Sequence, residues 1–192
     1  MVEAAKDFIL ASGSPQRISL LRQIAYEPKK IMPADICEDC LPHEEPLPYV
    51  RRMALEKAQK IAAACPRENI LACDTIVAVG KRILHKARTN EEQTKVMNML
   101  SGRTHRVISS VCLINKTGKI SQKTISSKIT MKKLTPSEIK SYVESGEWHG
   151  ACGYRIEGLM SGYVCRILGS YSGIIGLPLY ETMNLLKGEN IR

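Results

Sequence analysis

Apolar residues along the chain recur in two rhythms, short unbroken runs and stripes spaced three or four residues apart, and the two alternate. The run at residues 8–11 predicts a strand. It gives way to Ser12-Gly13-Ser14-Pro15-Gln16-Arg17, where Ser14 suits a helix N-cap and Pro15 the first helical position. Ile18, Leu21 and Ala25, with Leu20 and Ile24, supply the stripe of the helix that follows. After a polar, proline-containing segment over 33–48, the stripe Val50, Met53, Ala54, Ala58, Ile61 and Ala62 predicts a helix over 49–64. Residues 70–79 make the strongest strand pattern, and Gly80-Lys81 reads as a turn into a strand at 82–84.

Asn90 with Gln93 reads as the opening of another helix, which Gly102 closes. Strands at 104–114 and 120–131, joined by a turn at 115–119, form an antiparallel pair. Thr135-Pro136-Ser137-Glu138 has capping-box spacing and starts a helix through 145. A strand at 163–168 and a helix from Pro178 to 187 complete the pattern. Strands alternating with helices, plus one hairpin, indicate an α/β fold with a mixed sheet. With no repeat, low-complexity stretch or linker, residues 1–192 are expected to form a single domain with room for two lobes.

Composition narrows the class. Apolar residues make up 44% of the chain and charged residues 24%, as in soluble globular proteins. No apolar run is long enough to span a bilayer, and Glu3, Lys6 and Asp7 stand where a signal peptide would need a basic patch and an apolar core. A cytoplasmic, membrane-free protein is the expectation. Seven cysteines, an odd number and often inside apolar runs, suit reduced thiols. Cys37-x-x-Cys40 with His43 could supply three zinc ligands, but no second motif closes a structural site, and ordinary loop cysteines are favoured.

The net charge of +9 suggests a polyanionic partner. Basic residues fall in scattered pairs, and one Phe and one Trp leave little for base stacking. These features weigh against nucleic acid; an acidic membrane and a phosphorylated small molecule stay open, and many of the charges read as a solvated surface.

Three residues break the pattern. Asp74 stands within an apolar strand run, where a carboxylate needs a partner, a hydrogen bond or a metal. Lys57 falls on the apolar stripe of its helix, either snorkelling to the surface or turned inward. Arg17 adds a cation to the free N–H groups of a helix start. Two cations, a helix N-terminus and an inward carboxylate are parts of a phosphoryl-transfer site. No G-x-x-x-x-G-K-[ST] is present, so the P-loop class is excluded, and no G-x-G-x-x-G supports a dinucleotide fold.

The chain also resembles a known family in a set of ordered motifs. Leu10-Ala11-Ser12-Gly13-Ser14-Pro15-Gln16-Arg17, Glu56-Lys57-Ala58, Asp74-Thr75-Ile76-Val77 and Leu100-Ser101-Gly102-Arg103-Thr104-His105 stand in the order and spacing of the Maf family of nucleoside triphosphate pyrophosphatases. Gly146-Glu147-Trp148, Gly153-Tyr154-Arg155-Ile156-Glu157-Gly158 and Gly169-Ser170-Tyr171-Ser172-Gly173-Ile174-Ile175-Gly176-Leu177-Pro178 continue the match along essentially the whole chain.

The resemblance implies a two-lobed, Maf/ITPase-like mixed sheet with flanking helices, a cleft between the lobes and a homodimer. It implies hydrolysis of a nucleoside triphosphate to the monophosphate and pyrophosphate with a divalent cation, Mg²⁺ or Mn²⁺. By motif, Asp74 would be the general base or a metal ligand, and Glu38 would help hold the metal. Ser12, Ser14, Arg17, Lys57 and Lys86 would line the triphosphate. Gln16, Thr75 and Glu157 stand at the positions that choose the base.

This chain departs from the family pattern at several places. Gln16 replaces one of two adjacent arginines, Ala87 a proline, Cys37 an acidic residue and Gly173 an asparagine, and a lysine usual near Ala151 is missing. Family members preferring thymidine and uridine triphosphates carry Arg, Thr and Gln at the base-selecting positions; those preferring 7-methylguanosine triphosphate carry Trp, Gln and Glu. Gln16, Thr75 and Glu157 match neither set, so both substrate classes stay open. A catalytically weakened binding or regulatory protein, tied to RNA or a division partner, is the alternative, and a phosphatase releasing inorganic phosphate a third.

Overall fold

The structure is a computed structural model and describes residues 5–191. Its centre is a seven-stranded mixed sheet in the order β2-β1-β3-β5-β6-β7, with β4 also paired to β3. β1 (Lys6–Leu10) lies parallel to both β2 (Pro28–Ile31) and β3 (Ile70–Val79). β4 (Arg82–Leu84), β5 (Thr104–Ile114), β6 (Ile120–Met131) and β7 (Val164–Leu168) add antiparallel pairs. The helices are α1 (Pro15–Gln23), α2 (Pro46–Ala64), α3 (Asn90–Leu100), α4 (Pro136–Ser145), α5 (Tyr171–Ile175) and α6 (Leu179–Gly188).

Most predicted elements are present. The capping box of α4 is formed by Thr135 and Glu138. α2 begins at Pro46, earlier than the apolar stripe suggested, because a proline suits the first turn of a helix. Thr89, not Asn90, caps α3. Gln93 is turned into the core, so the expected capping role is corrected. β2 and α5 were not anticipated; β2 reads Pro-Lys-Lys-Ile, and past its buried proline every residue is exposed, as edge strands often are.

Apolar packing divides the sheet into two halves. Phe8, Leu10, Leu71 and Leu113 form a core on one face of the first half, and Ala54, Ala58, Ile70 and Ala72 form another on the α2 face. Val77, Met97, Tyr142 and Trp148 build the core of the second half with α3 and α4. β3 and β5 run through both halves.

One edge of β3 is interrupted. β1 pairs with it at Ile70 and Leu71, and β4 at Val77, Ala78 and Val79. The other edge stays paired with β5 from Ile70 to Ala78. Between Leu71 and Val77 the sheet therefore opens, beyond the carboxyl end of β1, the part of an open α/β sheet where ligands bind.

Candidate active site

Asp74 sits in that opening. Side chains alternate along a strand, so Asp74 shares the α2 face with Ala72 and Ile76 while Thr75 turns to the other face. On α2 the stripe that packs Met53, Ala54, Ala58 and Ile61 inward also turns Lys57 inward. The side chains meet: Lys57 Nζ lies 2.6 Å from Asp74 Oδ1 and 2.6 Å from Glu38 Oε1. Lys57 and Asp74 are only 8% and 7% exposed, so Lys57 is no snorkelling residue.

Burial by itself would lower the Lys57 pKa, but the charges and hydrogen bonds of Asp74 and Glu38 outweigh it and the net shift is upward. Burial likewise pushes Glu38 up, and its hydrogen bond to Lys57, with the charges of Lys57, Lys86 and Arg17, more than reverses that. The Tyr49 hydroxyl donates to the Glu38 carbonyl at 2.7 Å and ties this loop to α2. Nothing in the sequence marked Tyr49 beyond its place on a helix.

The turn after β1 supplies the second part. Ser14 caps α1, its Oγ accepting from the Arg17 N–H at 3.5 Å. Arg17 Nη1 donates to Ser12 Oγ at 3.0 Å and its Nε to the Gly176 carbonyl at 2.9 Å. Gly176 has φ +145°, a conformation that favours glycine, and its carbonyl also accepts from Cys73 Sγ at 3.2 Å and from Thr75 Oγ1 at 3.3 Å. Thr75 is fixed further by Ser109 Oγ at 2.7 Å. Gly176 and Ser109 are tertiary partners that spacing alone did not reveal.

A cleft of about 990 Å³ gathers these pieces. Ser12, Ser14, Gln16 and Arg17 line it from the α1 turn, Glu38 from its loop, Lys57 from α2, and Asp74 and Thr75 from β3. Lys86 follows β4 into the cleft, and Glu157 lies on the segment 150–157 that forms another wall. The structure thus brings every candidate residue into one cleft. His85, Arg88 and Arg155 also line it and were not singled out, although Arg88 lies two residues past Lys86 and Arg155 within the Gly-Tyr-Arg-Ile-Glu-Gly motif.

The converging oxygens of Asp74 and Glu38 suit a hard cation, the place that Lys57 Nζ takes in this arrangement. Among the described residues no group of three or more His, Cys, Asp or Glu is arranged to hold a metal. Such a cation would complete its shell with water and phosphate oxygens, as Mg²⁺ commonly does. Cys37 and Cys40 are exposed and not disulfide-bonded, and among the described residues they form no cluster of three or more possible metal ligands with His43.

The chain is 47% identical over 191 residues to a dTTP/UTP pyrophosphatase of Mesorhizobium japonicum, covering 96% of this chain and 92% of the relative. It is 44% identical over 190 residues to a dTTP/UTP pyrophosphatase of Caulobacter vibrioides, covering 98% of each. Among solved structures, the Staphylococcus aureus Ham1 protein aligns over 65% of this chain and 71% of its own, at 15% identity and a TM-score of 0.48. A family model described as Maf-like protein matches residues 7–189. With the motifs in order and nearly the whole length matched, the chain belongs to the Maf-like protein family.

Proposed function

We propose that this protein hydrolyses a pyrimidine nucleoside triphosphate, dTTP or UTP, to the monophosphate and pyrophosphate. The arrangement of Asp74, Lys57 and Glu38 in the opening of the sheet carries this reading, beside the N–H groups and guanidinium of the α1 turn. High identity to dTTP/UTP pyrophosphatases over nearly the full chain supports the substrate class.

The triphosphate docks with its oxygens toward Arg17, Lys57, Lys86 and the positive N-terminal end of α1. Water attacks the α-phosphorus, the bond from that phosphorus to the bridging oxygen breaks, and pyrophosphate departs with the bonding electrons. Asp74 takes the water's proton. Lys57 stays protonated, because its pKa is raised, and its charge offsets that of the phosphate oxygens. Glu38 and Asp74 would hold the divalent cation, which would add positive charge at the reacting phosphate when bound. Thr75 and Glu157 face the cleft as polar partners for the base.

Incubation with a panel of canonical and methylated nucleoside triphosphates and Mg²⁺ or Mn²⁺, with product identification, tests the reading. Monophosphate plus pyrophosphate, with dTTP or UTP the best substrates and activity lost in Asp74→Asn, is the expected result. Release of inorganic phosphate would replace it with a phosphatase, and no turnover on any nucleotide with a binding protein.

A further inference from the structure

Two buried polar side chains of the second half do not line the cleft, yet both act on one of its walls. Gln93 on α3 is 1% exposed, and its Nε2 donates to the Gly153 carbonyl at 2.7 Å. His105 on β5 is 2% exposed, and its Nε2 lies 2.6 Å from the Tyr154 hydroxyl, with the rings edge to face at 5.5 Å. The next residue, Arg155, donates its N–H to the Tyr142 hydroxyl at 3.3 Å. Past Glu157, the Leu159 N–H donates to Glu147 Oε2 at 2.7 Å. That carboxylate fills the space where a Cβ on Gly158 would stand, 2.1 Å away. The segment bearing Glu157 is thus pinned on both sides.

Burying amide and imidazole groups is costly unless they are bonded, and an apolar residue would fill a core at less cost. Among the described residues the buried His105 ring bonds through Nε2 alone. That one bond runs to the wall of the cleft, as does the bond of the Gln93 amide. We propose that His105 and Gln93 are positioning residues for base recognition: they fix the 153–157 wall so that Glu157 meets the base in one orientation. The proposal rests on the nucleotide pyrophosphatase reading and extends it to residues that touch no substrate.

The test measures kcat and KM for UTP, dTTP and CTP in the wild type and in His105→Leu, His105→Gln, Gln93→Leu and Tyr154→Phe. In the leucine and phenylalanine variants KM for the preferred nucleotide should rise about fivefold, the change expected for one lost hydrogen bond, with preference over CTP falling as much. The kcat should move less, because Asp74 is untouched. His105→Gln, which can restore a bond to the Tyr154 hydroxyl, should recover most of the preference. A fall in kcat with KM and preference unchanged, or no change in folded variants, would overturn the proposal. Tyr154→Phe removes one oxygen and stands in if a leucine variant does not fold. Absence of wild-type turnover would sink the pyrophosphatase reading alone; calorimetric binding of UTP and CTP to the same proteins would then decide the positioning role, supported by lost discrimination and overturned by none.

Discussion

Lys57 Nζ and Asp74 Oδ1 stand 2.6 Å apart between a helix and the open edge of a strand, and both residues are buried. An ion pair in such a place is weak evidence for stability, since desolvating two charges offsets much of their attraction, but removing one partner leaves the other uncompensated. Lys57→Met should therefore destabilise the fold by about 3 kcal/mol, the lower end for a broken buried pair because the cleft admits water. Urea unfolding reads this. The same variant should lose about a hundredfold or more in kcat, as when one preorganised donor to a developing charge is removed. A stable variant with full activity would mean that the cation is dispensable.

The pH dependence follows from the same cluster. Glu38 has a lowered pKa, so its contribution is present above its ordinary 4.5 and is lost as pH falls through the folded value. Lys57 has a raised pKa, so its contribution is present below its ordinary 10.5 and is lost as pH rises through the folded value. His105, lowered by burial to about 4, is protonated in the unfolded chain first and weakens the fold as pH falls from 6.5. Thermal unfolding across pH should fall off on both sides. Glu38→Gln should lose part of the acid limb below pH 4.5, leaving the His105 part between 6.5 and 4. An unaltered acid limb would show that Glu38 is not coupled to Lys57.

Gln16 lies in the first turn of α1, where its Oε1 accepts from the Ser14 hydroxyl at 3.3 Å. Gln16→Arg should lower KM for the triphosphate by about tenfold, the effect of one charge-assisted hydrogen bond. A cation beside the positive end of the helix costs about 0.5 kcal/mol, so Tm should drop slightly. Steady-state kinetics with a melting curve separates the two effects, and an unchanged KM would place Gln16 away from the phosphates.

Gly158→Ala would force the Glu147 carboxylate off the Leu159 N–H, because the new Cβ would stand 2.1 Å from Glu147 Oε2. The side chain can rotate away, so the expected cost is that of the lost hydrogen bond, about 1 kcal/mol. KM should rise and kcat change little. Glu147→Gln, which keeps an oxygen acceptor, should be milder, and equal losses in the two variants would show that charge, not position, matters there.

The sequence by itself determined the long elements and the chemical misfits within them. β3, β5, β6 and α4 could be bounded from their patterns because periodicity and capping are local properties, readable without knowing the neighbours. Asp74 and Lys57 stood out because each defied its apolar surroundings. Only the tertiary structure decided that they face one another, since they lie on separate elements and α2 had first to lie across β3. It also decided that Gln93 is a buried pin and not a cap, a choice made by packing against Gly153. Above all, it opened the edge of β3 between β1 and β4, so that Ser12, Lys57, Asp74, Lys86 and Glu157 meet in one cleft. Strand pairing and helix packing join residues far apart in the chain, and no local pattern of apolar and polar positions carries that information.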